Sequence, residues 1–183
     1  KLFFDPTLRP YDVAGSVDEI FDFGFVGFIT DKIDLHAITS ISNNHSIAIY
    51  GDFYDESIKS KLVGIDNVTI FGGFEYGDLP YICSTFKVGL LPYLAERSHD
   101  GSPLKLYEYL RHGRPVLTSL NYEITHENFI VNYGSLGLGP EILLEILRYS
   151  GSPSICGLLT EQDYLDFSLR QVLEYIVKQS TIT

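Results

Sequence analysis

The sequence has 183 residues, which is enough for one domain with a complete hydrophobic core and too few for two domains of ordinary size. Hydrophobic residues make up 45% of it, and its apolar runs are strand-sized, well short of the ~20 residues that a membrane-spanning helix needs. The formal net charge of -11 argues against nucleic acid as a partner, because phosphate backbones are bound by clustered lysine and arginine. Any phosphate group must therefore be held by a few local contacts.

Short apolar runs alternate with helical patterns from residue 23 onward, and this alternation is typical of βαβ units around a parallel sheet. We predict an α/β, Rossmann-like fold with helices on both faces of the sheet. Strands are predicted at residues 23–30, 46–50, 68–71, 88–93, 115–119 and 129–132. Helices are predicted at residues 35–44, 56–63, 76–86, 103–112, 140–148 and 164–179. The polar stretch 94–102 is predicted as a loop at the carboxyl end of a strand, where open α/β sheets bind ligands.

The helix predicted at residues 103–112 has sequence signals at both ends. Ser102 suits the N-cap, Pro103 suits the first turn, and Gly113 suits the left-handed position that ends a helix. A helix N-terminus offers unpaired N–H groups and a partial positive charge, so it binds a phosphate without a basic surface. This position therefore fits an acidic protein that binds a diphosphate.

Lys105 and Glu108 are three residues apart on this helix, which predicts that their side chains share a face. That spacing would place an ammonium near a diphosphate and a carboxylate near ribose hydroxyls. The alternative is an ordinary exposed ion pair on the helix surface. Three apolar or aromatic side chains are expected to face the sheet: Leu106, Tyr107 and Leu110.

The stretch SPLKLYEYL at residues 102–110, followed by GRPVL at 113–117, resembles the SPxKxxEY…GxPV signature of GT-B glycosyltransferases. The family is the large retaining one, glycosyl transferases group 1, that builds bacterial polysaccharides and lipopolysaccharides. The resemblance extends upstream in the family's order, through VGFI at 26–29, IYG at 49–51, NVTIFG at 67–72 and VGLLPY at 88–93. It covers residues 23–120 and implies one half of a two-domain GT-B fold.

The resemblance also implies roles for individual residues. Glu108 would bind the ribose of the donor nucleotide, and Lys105 would contact its diphosphate. Asp100 stands where many members carry a glutamate, and it would contact the sugar, cap the following residues or be solvated. Lys32 either reaches the diphosphate or is an exposed loop lysine. Backbone and side-chain contacts to the donor are expected at Gly51, Gly101, Ser102 and Leu104.

The nucleobase pocket is expected after the third strand. Gly73 would let the backbone approach a ligand, and Tyr76 or Phe74 would stack on a base, although Phe74 equally suits the core. His99 lies in a loop and is interpreted as solvated. The histidines and the two cysteines, Cys83 and Cys156, lack the spacing of metal ligands, so no metal site is predicted and reduced thiols are expected.

The function implied by the resemblance is donor binding in a retaining transferase that moves a hexosyl or glycuronosyl group. The donor would be a UDP- or GDP-sugar, with no further cofactor or metal. Residues 1–22 are expected to be an interdomain connection, residues 23–160 the donor-binding domain, and residues 161–183 a segment with a helix that packs toward a missing N-terminal domain. That missing domain would bind a glycan or lipid-linked acceptor, and the fragment alone would be inactive.

A cytoplasmic location is expected, and the full-length enzyme could associate peripherally with the inner face of a membrane. Two alternatives stay open at this point. The chain could be half of a nucleotide-sugar epimerase with the same two-domain architecture, which would keep catalytic acids in both halves. It could also be a degenerate transferase module without catalytic activity.

Overall fold

A computed structural model describes residues 20–97, 104–122 and 129–150 of the chain. Its strands are β1 (Phe21–Val26), β2 (Ile47–Tyr50), β3 (Val68–Gly72), β4 (Phe86–Leu91), β5 (Val116–Thr118) and β6 (Ile130–Asn132). Its α-helices are α1 (Leu35–Ser42), α2 (Glu56–Val63), α3 (Leu79–Ser84), α4 (Leu104–Arg111), α5 (Tyr133–Leu136) and α6 (Pro140–Tyr149). None of the described helices is long and apolar enough to cross a membrane.

The six strands form one sheet in the order β3-β2-β1-β4-β5-β6, and every neighbouring pair is parallel. Parallel neighbours need crossover connections, which the helices provide. The predicted α/β, Rossmann-like class is therefore confirmed. The strand order reverses between β1 and β4, and this reversal is the topological switch point at which such sheets bind ligands.

Two hydrophobic clusters cover the two faces of the sheet. One contains the buried residues of α1, α2 and α6, packed on Phe23, Phe25 and Val88. The other contains the buried residues of α3 and α4, packed on Val26 and Val116. Strands buried on both faces form continuous apolar runs, which is why the sequence pattern predicted most of them.

The element boundaries agree with the sequence prediction at α2 and differ elsewhere by a few residues. The largest differences are at β1 and α3. β1 begins at Phe21 and ends at Val26, because Gly27 has a φ of 127° and turns the chain out of the strand. α3 ends at Ser84, and Phe86 already pairs with Phe21 in the sheet, whereas a helix was predicted through residue 86. The short helix α5 was not predicted.

Asp22 shows why the start of β1 was missed. Its carboxylate accepts a hydrogen bond from Lys87 Nζ at 2.6 Å, and it lies 3.3 Å from His45 Nδ1. Burial opposes ionisation of Asp22, but the contacts with Lys87 and His45 outweigh it and lower the pKa of the carboxyl group. A charged residue at a strand end is therefore satisfied by partners distant in sequence.

Two glycines in the middle of the sheet allow α4 to pack closely on it. Gly24 and Gly89 are neighbours across β1 and β4. A Cβ on Gly24 would lie 2.1 Å from Phe86 Cδ1, and one on Gly89 would lie 2.3 Å from Tyr109 Cδ2. The two aromatic rings fill this space and meet edge to face, with centroids 5.8 Å apart. The position of α4 is thus fixed from beneath by ring packing.

Several predicted features lie outside the described residues. They are the segment 1–19, the helix predicted at 164–179 with the rest of the segment 161–183, His99, Cys156, and the N-cap signals Ser102 and Pro103. The proposed domain boundaries therefore stay predictions. At the other end of α4 the expectation is met: Gly113 has a φ of 68°, and the Arg114 N–H donates to the Tyr109 carbonyl at 2.8 Å.

Candidate functional site

The candidate site lies at the carboxyl edge of the sheet, where β1 and β4 end side by side. Since all strands are parallel, their carboxyl ends share one edge, and β1 and β4 flank the switch point. The N-terminal turn of α4 reaches this edge. Tyr109 anchors the helix there, because its hydroxyl accepts a 2.8 Å hydrogen bond from the Val26 N–H at the end of β1.

Lys105 crosses the sheet edge over Gly27. A Cβ on Gly27 would lie 2.3 Å from Lys105 Cε and 2.7 Å from its Nζ, so only glycine leaves room for the lysine. The ammonium lies 4.6 Å from the centroid of the Phe25 ring and donates a 2.8 Å hydrogen bond to the Tyr93 hydroxyl. The alternative interpretation, an exposed ion pair between Lys105 and Glu108, is therefore wrong, because Lys105 extends over the strand ends.

The surroundings of Lys105 make its positive charge costly. Burial lowers the pKa of Lys105 from its ordinary 10.5 to about 8. Aromatic faces and one neutral hydroxyl surround the ammonium, and among the described residues no carboxylate forms an ion pair with it. At neutral pH the amine is still protonated, so this environment favours a bound anion that would neutralise it.

Tyr93, which follows β4, is held from two sides. Its N–H donates to Ser119 Oγ at 2.9 Å, and the same hydroxyl donates to the Tyr93 carbonyl at 2.6 Å. On the other side, the loop after β1 pairs with the loop after β4, since the Leu94 N–H donates to the Lys32 carbonyl at 2.8 Å. The Tyr93 hydroxyl is therefore a fixed acceptor for the Lys105 ammonium.

Glu108 lies on α4 one turn beyond Lys105, and it is nearly buried, with 9% of its surface exposed. Its Oε1 accepts a 2.8 Å hydrogen bond from the hydroxyl of Tyr76, which follows β3. Burial and the Glu108 carboxylate together raise the pKa of Tyr76 to about 12. The exposed position that the ion-pair alternative requires for Glu108 is not observed, because Tyr76 after β3 covers the carboxylate.

His112 packs beside Glu108 without forming an ion pair. The distance from His112 Nε2 to Glu108 Oε2 is 3.7 Å, too long for a hydrogen bond. Burial, together with Arg111 and Arg114, lowers the pKa of His112 to about 4. The imidazole is therefore neutral at neutral pH and does not neutralise the carboxylate charge.

The fold of this chain is similar to that of a solved glycosyltransferase. The match is to the crystal structure of AviGT4, a glycosyltransferase involved in avilamycin A biosynthesis, with a TM-score of 0.53 and 14% sequence identity. It covers 96% of this chain and 54% of AviGT4, so the chain spans about half the length of that protein. At this identity the likeness shows the fold alone, an α/β sheet consistent with one half of a GT-B fold. No protein-family model and no curated sequence matches the chain.

The glycines predicted to contact the donor have different surroundings. Gly51 has a φ of 140°, and a Cβ there would lie 2.0 Å from the Gly27 carbonyl oxygen, so the packing of two strand ends already requires glycine. Gly73 lies against Asp52, whose Oδ1 would be 2.7 Å from a Cβ at that position. The AviGT4 match leaves the donor contacts of both glycines as predictions.

The aromatic and apolar residues singled out in the sequence also differ in how deeply they are buried. Phe74 is partly buried against the α3 and α4 side of the core, in agreement with its alternative interpretation. Leu106 and Leu110 are buried as predicted, but the third buried apolar or aromatic side chain of α4 is Tyr109, and Tyr107 is only partly buried. Leu104 is partly exposed at the described start of α4.

The remaining predicted positions are Lys32, which lies in the loop after β1 and is partly buried, and three residues outside the described part of the chain: Asp100, Gly101 and Ser102. In the described ranges, no group of three or more histidine, cysteine, aspartate or glutamate side chains could hold a metal ion. Sequence reasoning missed Tyr93 and Phe25 as partners of Lys105. Their position at the ends of adjacent buried strands was the available signal.

Proposed function

We propose that this chain is the donor-binding half of a retaining glycosyltransferase, which moves a sugar from a nucleoside diphosphate to a glycan or lipid-linked acceptor. The observation that carries the proposal is the Lys105 ammonium, held over Gly27 at the switch point between β1 and β4. The similarity of the fold to AviGT4 supports the same class of reaction.

Lys105 is suited to stabilise the departing diphosphate. In sugar transfer the bond from the anomeric carbon to the diphosphate breaks, and negative charge develops on the leaving oxygens. A cation fixed in a partly desolvated place stabilises this charge more strongly than one in water. The hydrogen bond to Tyr93 and the contact with the Phe25 ring hold the ammonium before the donor binds, so little reorganisation is needed.

Glu108 is suited to accept hydrogen bonds from the ribose of the same donor. Its carboxylate follows Lys105 along one helix, so a single element presents a cation and an anion in a fixed order. A diphosphate and the ribose attached to it carry the complementary groups in sequence. Lys32, Asp100 and the backbone of Gly101 and Ser102 would add further contacts to the diphosphate and the sugar.

Acceptor binding is assigned to a part of the full-length enzyme other than the donor site. The acceptor would bind to a second domain of the full-length enzyme, and the donor would be a UDP- or GDP-sugar without a metal ion. In such a site catalysis consists of positioning and charge stabilisation. The enzyme would act in the cytoplasm, at the inner face of a membrane if its acceptor is lipid-linked.

Calorimetric titration at pH 7 with UDP, GDP and the corresponding nucleosides tests the proposal. Lys105→Ala should weaken nucleoside diphosphate binding by about 1.5–3 kcal/mol and leave nucleoside binding unchanged, because it removes a charged hydrogen bond to the diphosphate. Glu108→Gln should weaken both ligands and spare 2′,3′-dideoxy analogues. Lys61→Ala, on the exposed surface of α2, is the matched control for loss of a lysine.

Melting curves show whether each variant is folded at the titration temperature. If the wild-type protein binds neither diphosphate, the proposed function is wrong. If Lys105→Ala and Glu108→Gln weaken the same ligands equally, the separate roles of the two residues are wrong.

A further inference from the structure

We propose that Tyr76 competes with the donor ribose for the Glu108 carboxylate, so that the tyrosine hydroxyl must leave before the nucleotide binds. This inference rests on the proposed function and assigns a new role to Tyr76. The sequence predicted that the ring stacks on a base, whereas the structure shows its hydroxyl bound to the expected ribose partner.

The Tyr76 hydroxyl makes the contact that a ribose hydroxyl would make. It donates a hydrogen bond to Glu108 Oε1 at 2.8 Å, the normal distance for an O–H donor and a carboxylate. Glu108 is only 9% exposed, so little of its surface is left for a ligand while the phenol is in place. A ribose hydroxyl and the Tyr76 hydroxyl are therefore alternative partners for this oxygen.

The local structure lets Tyr76 move without disturbing the core. The ring is 47% exposed, and the single turn Tyr76–Asp78 contains no buried residue. A reciprocal pair of hydrogen bonds between Glu75 and Asp78 closes that turn on itself. On the β3 side of the turn, Gly72 has a φ of 84° and open space around its Cβ position, and Gly77 within the turn also has open space. Rotation of the Tyr76 side chain, or a small shift of this turn, would uncover the carboxylate.

The exchange also explains how the site would distinguish ligands. A nucleotide with ribose hydroxyls replaces the hydrogen bond that Glu108 loses when Tyr76 leaves, whereas a ligand without them does not. Such a ligand binds with Tyr76 still in place, because it gains nothing from displacing the tyrosine hydroxyl. Competition with Tyr76 therefore lowers the preference for ribose-containing ligands, and removing the tyrosine hydroxyl should increase that preference.

Titration of Tyr76→Phe with UDP and GDP tests the inference. Removing the hydroxyl removes the competitor, so the affinity for a ribose-containing diphosphate should rise by about tenfold, the ratio expected for one hydrogen bond to a charged group. The affinity for the 2′,3′-dideoxy analogue should not change. Tyr81→Phe is the matched control, because Tyr81 is also 47% exposed and lies on the neighbouring helix α3.

Tyr76→Leu, which removes the ring as well, should also bind the ribose-containing diphosphate more tightly. Unchanged or weaker binding by folded Tyr76→Phe, with a wild-type protein that does bind, would overturn the inference and leave the proposed function intact. A loss of dideoxy binding in Tyr76→Leu but not in Tyr76→Phe would show stacking on the base and would overturn it too. A wild-type protein that binds no nucleotide contradicts the proposed function and this inference together.

Discussion

The buried charge of Lys105 should make the stability of the protein depend on pH in the alkaline range. The folded pKa is about 8 and the ordinary value is 10.5, which corresponds to about 3 kcal/mol of unfavourable charge burial. Below pH 8 the amine is protonated in both states, and the folded protein carries the whole cost. Between pH 8 and pH 10.5 the unfolded chain binds more protons, so stability rises with pH.

Replacing the lysine by methionine isolates this effect. The Lys105→Met variant keeps the apolar stem, loses the contacts with Tyr93 and Phe25, and no longer titrates. The free energy of unfolding of the wild-type protein, relative to the variant, should therefore increase by about 2–3 kcal/mol between pH 7 and pH 10. The loss of these contacts lowers the stability of the variant by a similar amount at both pH values. The change in relative stability between pH 7 and pH 10 therefore measures the cost of burying the charge.

Urea denaturation of both proteins at pH 7, 8, 9 and 10, followed by circular dichroism, measures the free energy of unfolding at each pH. Lys61→Met on the exposed surface of α2 provides the control, and its stability relative to wild type should not change with pH in this way. A relative stability of Lys105→Met that is constant from pH 7 to pH 10, or that moves in the opposite direction, would refute the description of Lys105 as a desolvated cation.

Three further expectations follow from the same edge of the sheet. Diphosphate binding at pH 8.5 should take up protons, because a bound anion raises the Lys105 pKa; calorimetry in buffers of different ionisation enthalpy measures this uptake, which should vanish in Lys105→Met. Tyr109→Phe should lower the free energy of unfolding by about 1–3 kcal/mol, since it leaves the buried Val26 N–H without its acceptor; denaturation curves of the variant check this. Gly27→Ala should displace Lys105 and weaken diphosphate binding, whereas Gly64→Ala, where a Cβ would come no closer than 3.8 Å to its neighbours, should leave binding unchanged; equal affinities of the two variants would contradict the packing of Lys105 on Gly27.

The sequence was informative where burial alone decides structure. The apolar runs after residue 23 predicted the strands and the parallel sheet, because strands covered on both faces need apolar side chains throughout. It failed at β1, where Asp22 interrupts the pattern. Pairing with Lys87 and His45 satisfies that charge, and neither partner is near it in the chain.

The site was predicted less completely than the fold. The spacing of Lys105 and Glu108 on α4 was also compatible with an exposed ion pair, because polar positions on a helix usually face water. At the N-terminal end of this helix the neighbours are the ends of strands and the turn after β3, and both side chains are covered there. Local rules fail most often at functional or strained sites, which agrees with the proposed donor site.

The glycine pair in the middle of the sheet has a consequence for the depth of the site. A methyl group at Gly89 would push Tyr109 away from β4, and Tyr109 lies one helical turn from Lys105. Lifting α4 would raise the lysine from the strand ends and expose it to water, which would weaken its hold on an anion. The depth of the ammonium in the site thus depends on the lack of side chains at Gly24 and Gly89, two positions that lie beneath the helix and not among the predicted ligand contacts.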